Sequence, residues 1–82
     1  MSSTVHSLLL LAIDKLKLSG VSEPQRDARK LLAYTLNIGV DRLALHLQEK
    51  ISYLEEQMFE TAVLRRTKRV PVSYILGYRD FF

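Results

Sequence analysis

The apolar side chains of this sequence recur every three or four positions, which is the spacing along one face of an α-helix. No stretch of useful length alternates between apolar and polar residues, as a strand with one buried face requires. The first helix is predicted to begin after a cap at Ser3 or Thr4, to stop near Leu18 and to be closed by Gly20. Its apolar stripe consists of Val5, Leu8, Leu9, Ala12, Ile13 and Leu16. The fold class is therefore predicted to be all-α, a small orthogonal or irregular bundle of four to five helices.

Ser22, Pro24 and Gln25 together predict the start of the second helix. In this capping box Ser22 accepts a hydrogen bond from the amide three residues on and Gln25 reaches back, while Pro24 occupies the first turn, where no amide is needed. The helix is expected to end at Asn37, followed by Gly39. Its inward face is expected to hold Ala28, Leu31, Leu32, Thr35 and Leu36.

Two more helices are predicted from caps that precede apolar residues. Asp41 is the expected N-cap of a brief third helix, and a second capping box formed by Ser52 and Glu55 opens a longer fourth helix. The third helix carries Leu43, Ala44 and Leu47, whereas Leu45 lies off that stripe. Two neighbouring stripes are expected to face inward on the fourth helix. One consists of Leu54, Met58 and Ala62, and the other, displaced by one residue, consists of Phe59 and Val63.

The last segment divides into a short helix and a tail. Pro71 cannot continue a helix but can begin one, so residues 72–76 are predicted to form a single-turn helix closed by Gly77. Residues 78–82 are expected to be extended, and they end on two Phe rings whose exposure would forfeit roughly 1.5–3 kcal/mol each. The chain is therefore expected to be cut from a longer protein. In this interpretation residues 1–77 form a helical domain and residues 78–82 begin the linker to an absent domain.

A run of basic residues marks the end of the fourth predicted helix. The chain carries a net charge of +3, and four of its 12 Lys and Arg residues fall within residues 65–69, a stretch without an acid. The run is either a solvated helix end that complements the helix dipole or a binding surface. Adjacent residues on a helix cannot share one face, so either Arg65 or Arg66 is expected to turn inward to a carboxylate such as Asp27.

The sequence contains little that could perform chemistry. It has no Cys, only two His and only three separated Gly residues, so neither a thiolate or metal site nor a glycine-rich phosphate loop is expected. No catalytic or cofactor-binding residue is predicted. The longest apolar stretch, residues 8–13, is far shorter than the ~20 residues of a membrane span. The chain is expected to be soluble, unexported and monomeric.

Several motifs together carry a family resemblance. They are Pro24-Gln25-Arg26-Asp27-Ala28, Leu31-Leu32, Arg42-Leu43, Arg65-Arg66 and, most specific of all, the Pro-Val-Ser-Tyr-Ile-Leu-Gly-Tyr-Arg-Asp-Phe string at residues 71–81. In these motifs the chain resembles the N-terminal domain of the HemK/PrmC family. It departs from the family pattern at Gln25, where Arg usually follows the proline. It departs again at Arg69 and Val70, where Gly-Glu usually stands.

The resemblance implies a methyltransferase that modifies N5 of the glutamine in the Gly-Gly-Gln motif of cytoplasmic peptide chain release factors. It implies a helical substrate-recognition domain here and S-adenosylmethionine in the domain that is absent. The residues expected to contact the release factor are the exposed members of Arg65, Arg66, Lys68, Arg69 and Arg79. Structural roles are expected for Asp27, Pro71, Tyr74 and Gly77. The alternatives are a small basic nucleic-acid-binding module and a purely structural association domain.

Overall fold

The computed structural model describes residues 3–77, and its helices follow one another with short connections. In chain order they are α1 (Val5–Leu18), α2 (Pro24–Leu36), a 3-10 helix (Val40–His46), α3 (Tyr53–Thr67) and α4 (Val72–Gly77). Within the described residues the only β-type pairing is an isolated bridge between Thr4 and Lys50. The predicted all-α fold is confirmed, and so are the single-turn helix after Pro71 and the end of α1 at Leu18. The predicted extended tail at residues 78–82 lies outside the described residues.

The core lies where α1, α2 and α3 pack against one another. Leu16, Leu31, Leu32 and Phe59 each expose at most 1% of their surface. Burying a Leu or Phe side chain contributes roughly 1.5–3 kcal/mol, so these residues dominate the stability of the domain. α4 packs against α2 and α3 and adds Ile75 to the core. The inward face predicted for α2 is confirmed, since its members are buried or partly buried.

The starts of α1 and α3 are fixed by capping boxes; the box at Ser52 was predicted, and for α1 a cap at Ser3 or Thr4 was predicted. Of the two expected caps of α1, Thr4 is the one used: its Oγ1 accepts from the Ser7 amide and its own amide donates to Ser7 Oγ, each at 3.1 Å. Ser52 Oγ accepts from the Glu55 amide at 3.1 Å, and Glu55 Oε1 accepts from the Ser52 amide at 3.3 Å. Each cap contributes about 1 kcal/mol because it satisfies amides that the helix leaves without partners.

The capping box predicted at Ser22 is wrong. Pro24 is the first residue of α2, so the N-cap is Glu23, which forms no side-chain hydrogen bond to the backbone. The strong preference of proline for the first helical position sets this start, and it leaves Ser22 one residue too early to cap. Glu23 instead forms a salt bridge of 3.0 Å with Arg26.

The cap predicted at Asp41 is also wrong, because Gly39 is the N-cap of the 3-10 helix and Asp41 lies inside it. The Asp41 carboxylate folds back over Gly39, where a Cβ would lie only 2.6 Å from Oδ1. Of the predicted stripe on this helix, Leu43 is buried and Ala44 is exposed. Leu45 lies off the stripe, as expected.

The inward face predicted for α3 is correct only in part. Phe59 and Val63 are buried and Ala62 is partly buried, but Leu54 and Met58 are 69% and 44% exposed. The two candidate stripes lie one position apart on the helix. The aromatic ring of Phe59 buries more apolar area than the flexible side chain of Met58, and the helix is rotated to favour it.

Each of the three long helices is followed, within two residues, by a residue with a left-handed backbone. Gly20, Asn37 and Arg69 have φ angles of +87°, +60° and +73°. The amide of this left-handed residue donates to the carbonyl of the residue three positions before it. The amide of the following residue donates to the carbonyl five positions before itself, and all these bonds are 3.0–3.2 Å long. This pairing is the Schellman motif, which favours Gly and tolerates Asn. Arg69 is the exception, since its Cβ makes the same conformation unfavourable by about 1–2 kcal/mol.

Candidate functional site

α1 and α3 begin at one end of the domain and finish at the other. At the first end, Thr4 pairs with Lys50 just ahead of α3. At the other end the segment after α1 meets the segment after α3, because a Cβ on Gly20 would lie 3.2 Å from Nη2 of Arg69. The Arg69 guanidinium therefore packs over the backbone of Gly20. This contact brings the last turns of both helices together.

The end at which α1 and α3 finish is strongly basic. The two segments that form it, residues 15–27 and 64–70, hold seven Lys and Arg residues and two carboxylates; we call this surface the basic end. The opposite end is acidic, since residues 49–56 hold three carboxylates and one Lys. The cations of the basic end are Lys15, Lys17, Arg26, Arg65, Arg66, Lys68 and Arg69.

An ion pair with a buried carboxylate and a partly exposed arginine joins the elements of the basic end. Arg66 Nε donates to Asp27 Oδ2 at 2.9 Å, and Arg66 Nη1 donates to the carbonyl of Val70 at 3.3 Å. Asp27 is only 1% exposed, and its Oδ1 accepts no hydrogen bond from the described residues. The prediction that one of the two adjacent arginines turns inward to Asp27 is confirmed, and Arg66 is that residue. The pair joins α2 to α3 and to the connection that leads to α4.

Glu23, the second carboxylate of the basic end, also forms a salt bridge with an arginine. Arg26 lies 3.0 Å from Glu23 Oε2 and 3.5 Å from Asp27 Oδ1. Both carboxylates are thus neutralised locally, whereas the exposed cations Lys17 and Lys68 form no salt bridge with any of residues 3–77. The exposed surface of this end therefore carries a net positive charge that suits an acidic partner.

The structure separates the predicted contact residues into different environments. Lys68 and Arg69 are exposed, and Arg65 is partly buried. Arg66 has 20% of its side chain exposed and is engaged with Asp27, so it is not one of the exposed members. Arg79 lies outside the described residues.

The predicted structural residues lie on α2 and around α4. Asp27 is the buried partner of Arg66, as described above. The carbonyl of Pro71 accepts from the amides of Tyr74 and Ile75 at 3.0 and 3.1 Å, and Gly77 is the last residue of α4. Tyr74 is 64% exposed, whereas its neighbour Ile75 is buried. A structural role for Tyr74 stays a prediction.

Sequence reasoning missed Lys15, Lys17 and Gly20 as parts of the same surface. The signal for them was present, because α1 and α3 both carry two cations in their last turns. The sequence alone did not show that the two helices run parallel and therefore finish at the same end of the domain.

Residues 3–77 contain no group of three or more His, Asp or Glu side chains arranged to hold a metal ion. In the same part of the chain no helix has both the length and the apolar character that a membrane crossing requires.

The sequence profile of the PrmC N-terminal domain matches residues 7–77 of this chain. The chain belongs to the PrmC N-terminal domain family. The resemblance to HemK/PrmC drawn from the motifs is thereby confirmed. A bifunctional methyltransferase of Rickettsia felis is 35% identical over 82 residues, which are the whole of this chain and 16% of that protein.

Two further relatives of this PrmC N-terminal domain carry a more specific name. A release factor glutamine methyltransferase of Cereibacter sphaeroides is 39% identical over 74 residues, or 90% of this chain and 27% of that protein. One of Aliivibrio fischeri is 34% identical over 82 residues, the whole of this chain and 29% of that protein. The chain thus spans less than a third of the length of these relatives. No solved structure matches it.

Proposed function

We propose that this chain is the substrate-binding domain of a methyltransferase that modifies N5 of the glutamine in the Gly-Gly-Gln motif of peptide chain release factors. The observation that carries the proposal is the match of the PrmC N-terminal domain to residues 7–77. The relatives named release factor glutamine methyltransferase support the choice of substrate.

The division of labour in this proposal has a physical reason. An amide nitrogen is a poor nucleophile, so methyl transfer depends on holding it in line with the donor, and binding remote from the reacting atoms supplies that orientation. Residues 3–77 contain no glycine-rich turn between a strand and a helix, the kind of turn that holds a nucleotide cofactor in many enzymes. No step of the transfer is therefore assigned to these residues, and their proposed role is binding.

We place the contact with the release factor at the basic end. Lys68 and Arg69 are exposed there, and the arginines around Asp27 keep that carboxylate from cancelling their charge. The partner surface in this proposal is an acidic patch of the release factor. Cations at the rim of an interface mainly raise the association rate and make it sensitive to salt.

The backbone of Arg69 supports this placement. Residues held in an unfavourable backbone conformation cluster at functional sites, where their side chains serve a purpose other than stability. Arg69 adopts φ +73° in a position that glycine would fill without strain. Its guanidinium reaches back to Gly20 and extends the basic end between α1 and α3. A contact with the partner would explain why a cation stands where a glycine would be more stable.

The test measures binding of the 82-residue chain to the release factor of the source organism by surface plasmon resonance at two salt concentrations. Lys68→Glu is expected to weaken the Kd about tenfold, chiefly through slower association at low salt. Lys50→Glu is the matched control. Lys50 is also an exposed lysine, but it lies at the opposite end of the domain.

Equal effects of Lys68→Glu and Lys50→Glu would refute the placement at the basic end. Absence of any binding by the unaltered chain would refute the substrate-binding function itself. Binding to RNA with affinity that falls steeply with salt would instead favour the nucleic-acid-binding alternative.

A further inference from the structure

A groove runs along α1 on the side that faces the start of α2 and the 3-10 helix. It consists of two adjoining depressions of about 570 and 580 Å³, which share Ile13, Gln25 and Arg29 along their common border. The groove follows α1 from His6 to Lys17, a rise of roughly 16 Å, which is three turns of a helix. Its length therefore suits a short helix of another protein.

One half of the groove is apolar. Its floor contains Leu9 and Leu43, which are buried, and its walls contain Leu10 and Val40, which are 53% and 45% exposed. Asp41 lies on this half with its carboxylate folded over the backbone of Gly39. The two exposed aliphatic side chains belong to different elements, α1 and the 3-10 helix, and both line this half of the groove. This arrangement offers anchoring points for apolar side chains of a partner.

The other half of the groove is basic and overlaps the basic end, to which Lys17 belongs. Lys17 and Arg29 line it, and neither forms a salt bridge with any of residues 3–77. The other charged residues that line this half, Glu23 and Arg26, neutralise each other at 3.0 Å. The charge left over in this half is therefore positive, and it complements carboxylates at one end of the partner segment.

The groove is lined by residues of α1, α2 and the 3-10 helix and by the connections next to them. None of its lining residues belongs to α3 or α4. α4, from which the chain continues into residues 78–82, packs against α2 and α3.

We infer that this groove binds an amphipathic helix of the release factor, with its apolar side chains against Leu10 and Val40 and its carboxylates beside Lys17 and Arg29. The inference rests on the proposed function and adds a second contact to the one at the basic end. A helix lying in a groove of this kind is a recurrent mode of protein recognition, in which apolar anchors supply affinity and flanking charges set the orientation.

Neighbouring residues of the chain provide a closely matched test. Leu10 and Leu11 adjoin each other on α1 with 53% and 58% exposure, but only Leu10 lines the groove. Arg29 and Lys30 are adjacent exposed cations on α2, and only Arg29 lines it. The groove variant is Leu10→Gln with Arg29→Glu, and the control is Leu11→Gln with Lys30→Glu.

Binding of both variants to the release factor is measured by isothermal titration calorimetry, with thermal unfolding followed by circular dichroism to verify that each is folded. The groove variant is expected to bind at least tenfold more weakly than the unaltered chain, because it loses an apolar anchor and reverses a facing charge. The control is expected to stay within twofold.

A second pair on the 3-10 helix keeps the test decisive if the first groove variant unfolds. Val40→Gln alters the opposite wall of the groove, whereas Leu45→Gln alters a side chain that is 76% exposed and lies outside it. Equal affinities within both pairs would overturn the inference while leaving the proposed function in place. If the unaltered chain does not bind the release factor, the proposed function fails and the inference fails with it.

Discussion

Replacing Arg66 with methionine should remove a large part of the stability of the domain. The carboxylate of Asp27, 1% exposed, would lose its hydrogen bond of 2.9 Å, and the Val70 carbonyl would lose a donor at 3.3 Å. Breaking one side of a buried ion pair costs about 3–5 kcal/mol, since it leaves a charge in the interior without a partner. Arg26 lies 3.5 Å from the other carboxylate oxygen and can compensate in part, so we expect the lower end, about 3 kcal/mol.

A loss of this size is easily measured. The unfolding free energy of a chain of 82 residues is about 4–12 kcal/mol, and about 3 kcal/mol should lower the Tm by roughly 12–24 °C. Urea titration followed by circular dichroism gives the free energy for Arg66→Met and for a control, Arg26→Met. The side chain of Arg26 is 56% exposed, so its loss should cost less than about 1 kcal/mol.

A double-mutant cycle separates the ion pair from simple loss of packing. Combining Arg66→Met with Asp27→Leu removes both charges, and the double variant should recover at least about 2 kcal/mol relative to the sum of the single costs. The reasoning is refuted if Arg66→Met costs no more than Arg26→Met, or if the two single costs simply add in the double variant.

Three further comparisons use the same urea titration. Ser52→Ala should cost about 1 kcal/mol because it removes a helix cap, whereas Ser22→Ala should stay within about 0.5 kcal/mol; equal costs would contradict the assignment of the caps. Arg69→Gly should raise stability by about 0.5–1 kcal/mol while weakening binding to the release factor, and a loss of stability would show that the packing on Gly20 outweighs the backbone strain. Phe59→Ala should cost about 3–5 kcal/mol and Met58→Ala less than about 1 kcal/mol; similar values would contradict the orientation of α3.

Local chemistry explains the features that could be predicted from the sequence. The cap at Ser52 and the end of α1 depend on residues within one or two turns, so short-range rules suffice. The pairing of Asp27 with an arginine of α3 was predictable for a different reason. Two adjacent arginines cannot share one helix face, and a carboxylate on the apolar side of a helix needs a cation.

The predictions that failed depended on competition between signals or on tertiary packing. At Ser22 two helix-start signals overlapped, and proline prevailed over the serine cap. On α3, periodicity gives the spacing of the apolar residues but not which of two adjacent stripes meets α1. The basic run of α3 was predicted, but its union with the end of α1 and the groove along α1 were not, because both join residues of separate helices whose relative course is set by the packed core.

The contrast in charge between the basic end and residues 49–56 gives residues 3–77 an electric moment directed roughly from one of these surfaces to the other. An approaching polyanionic surface therefore exerts a torque that rotates the domain before any atoms touch, and a larger share of diffusive encounters arrives correctly oriented. The same property has a practical use. On a carboxylated sensor chip the domain should adsorb upright, with Glu49, Glu55 and Glu56 facing the solution.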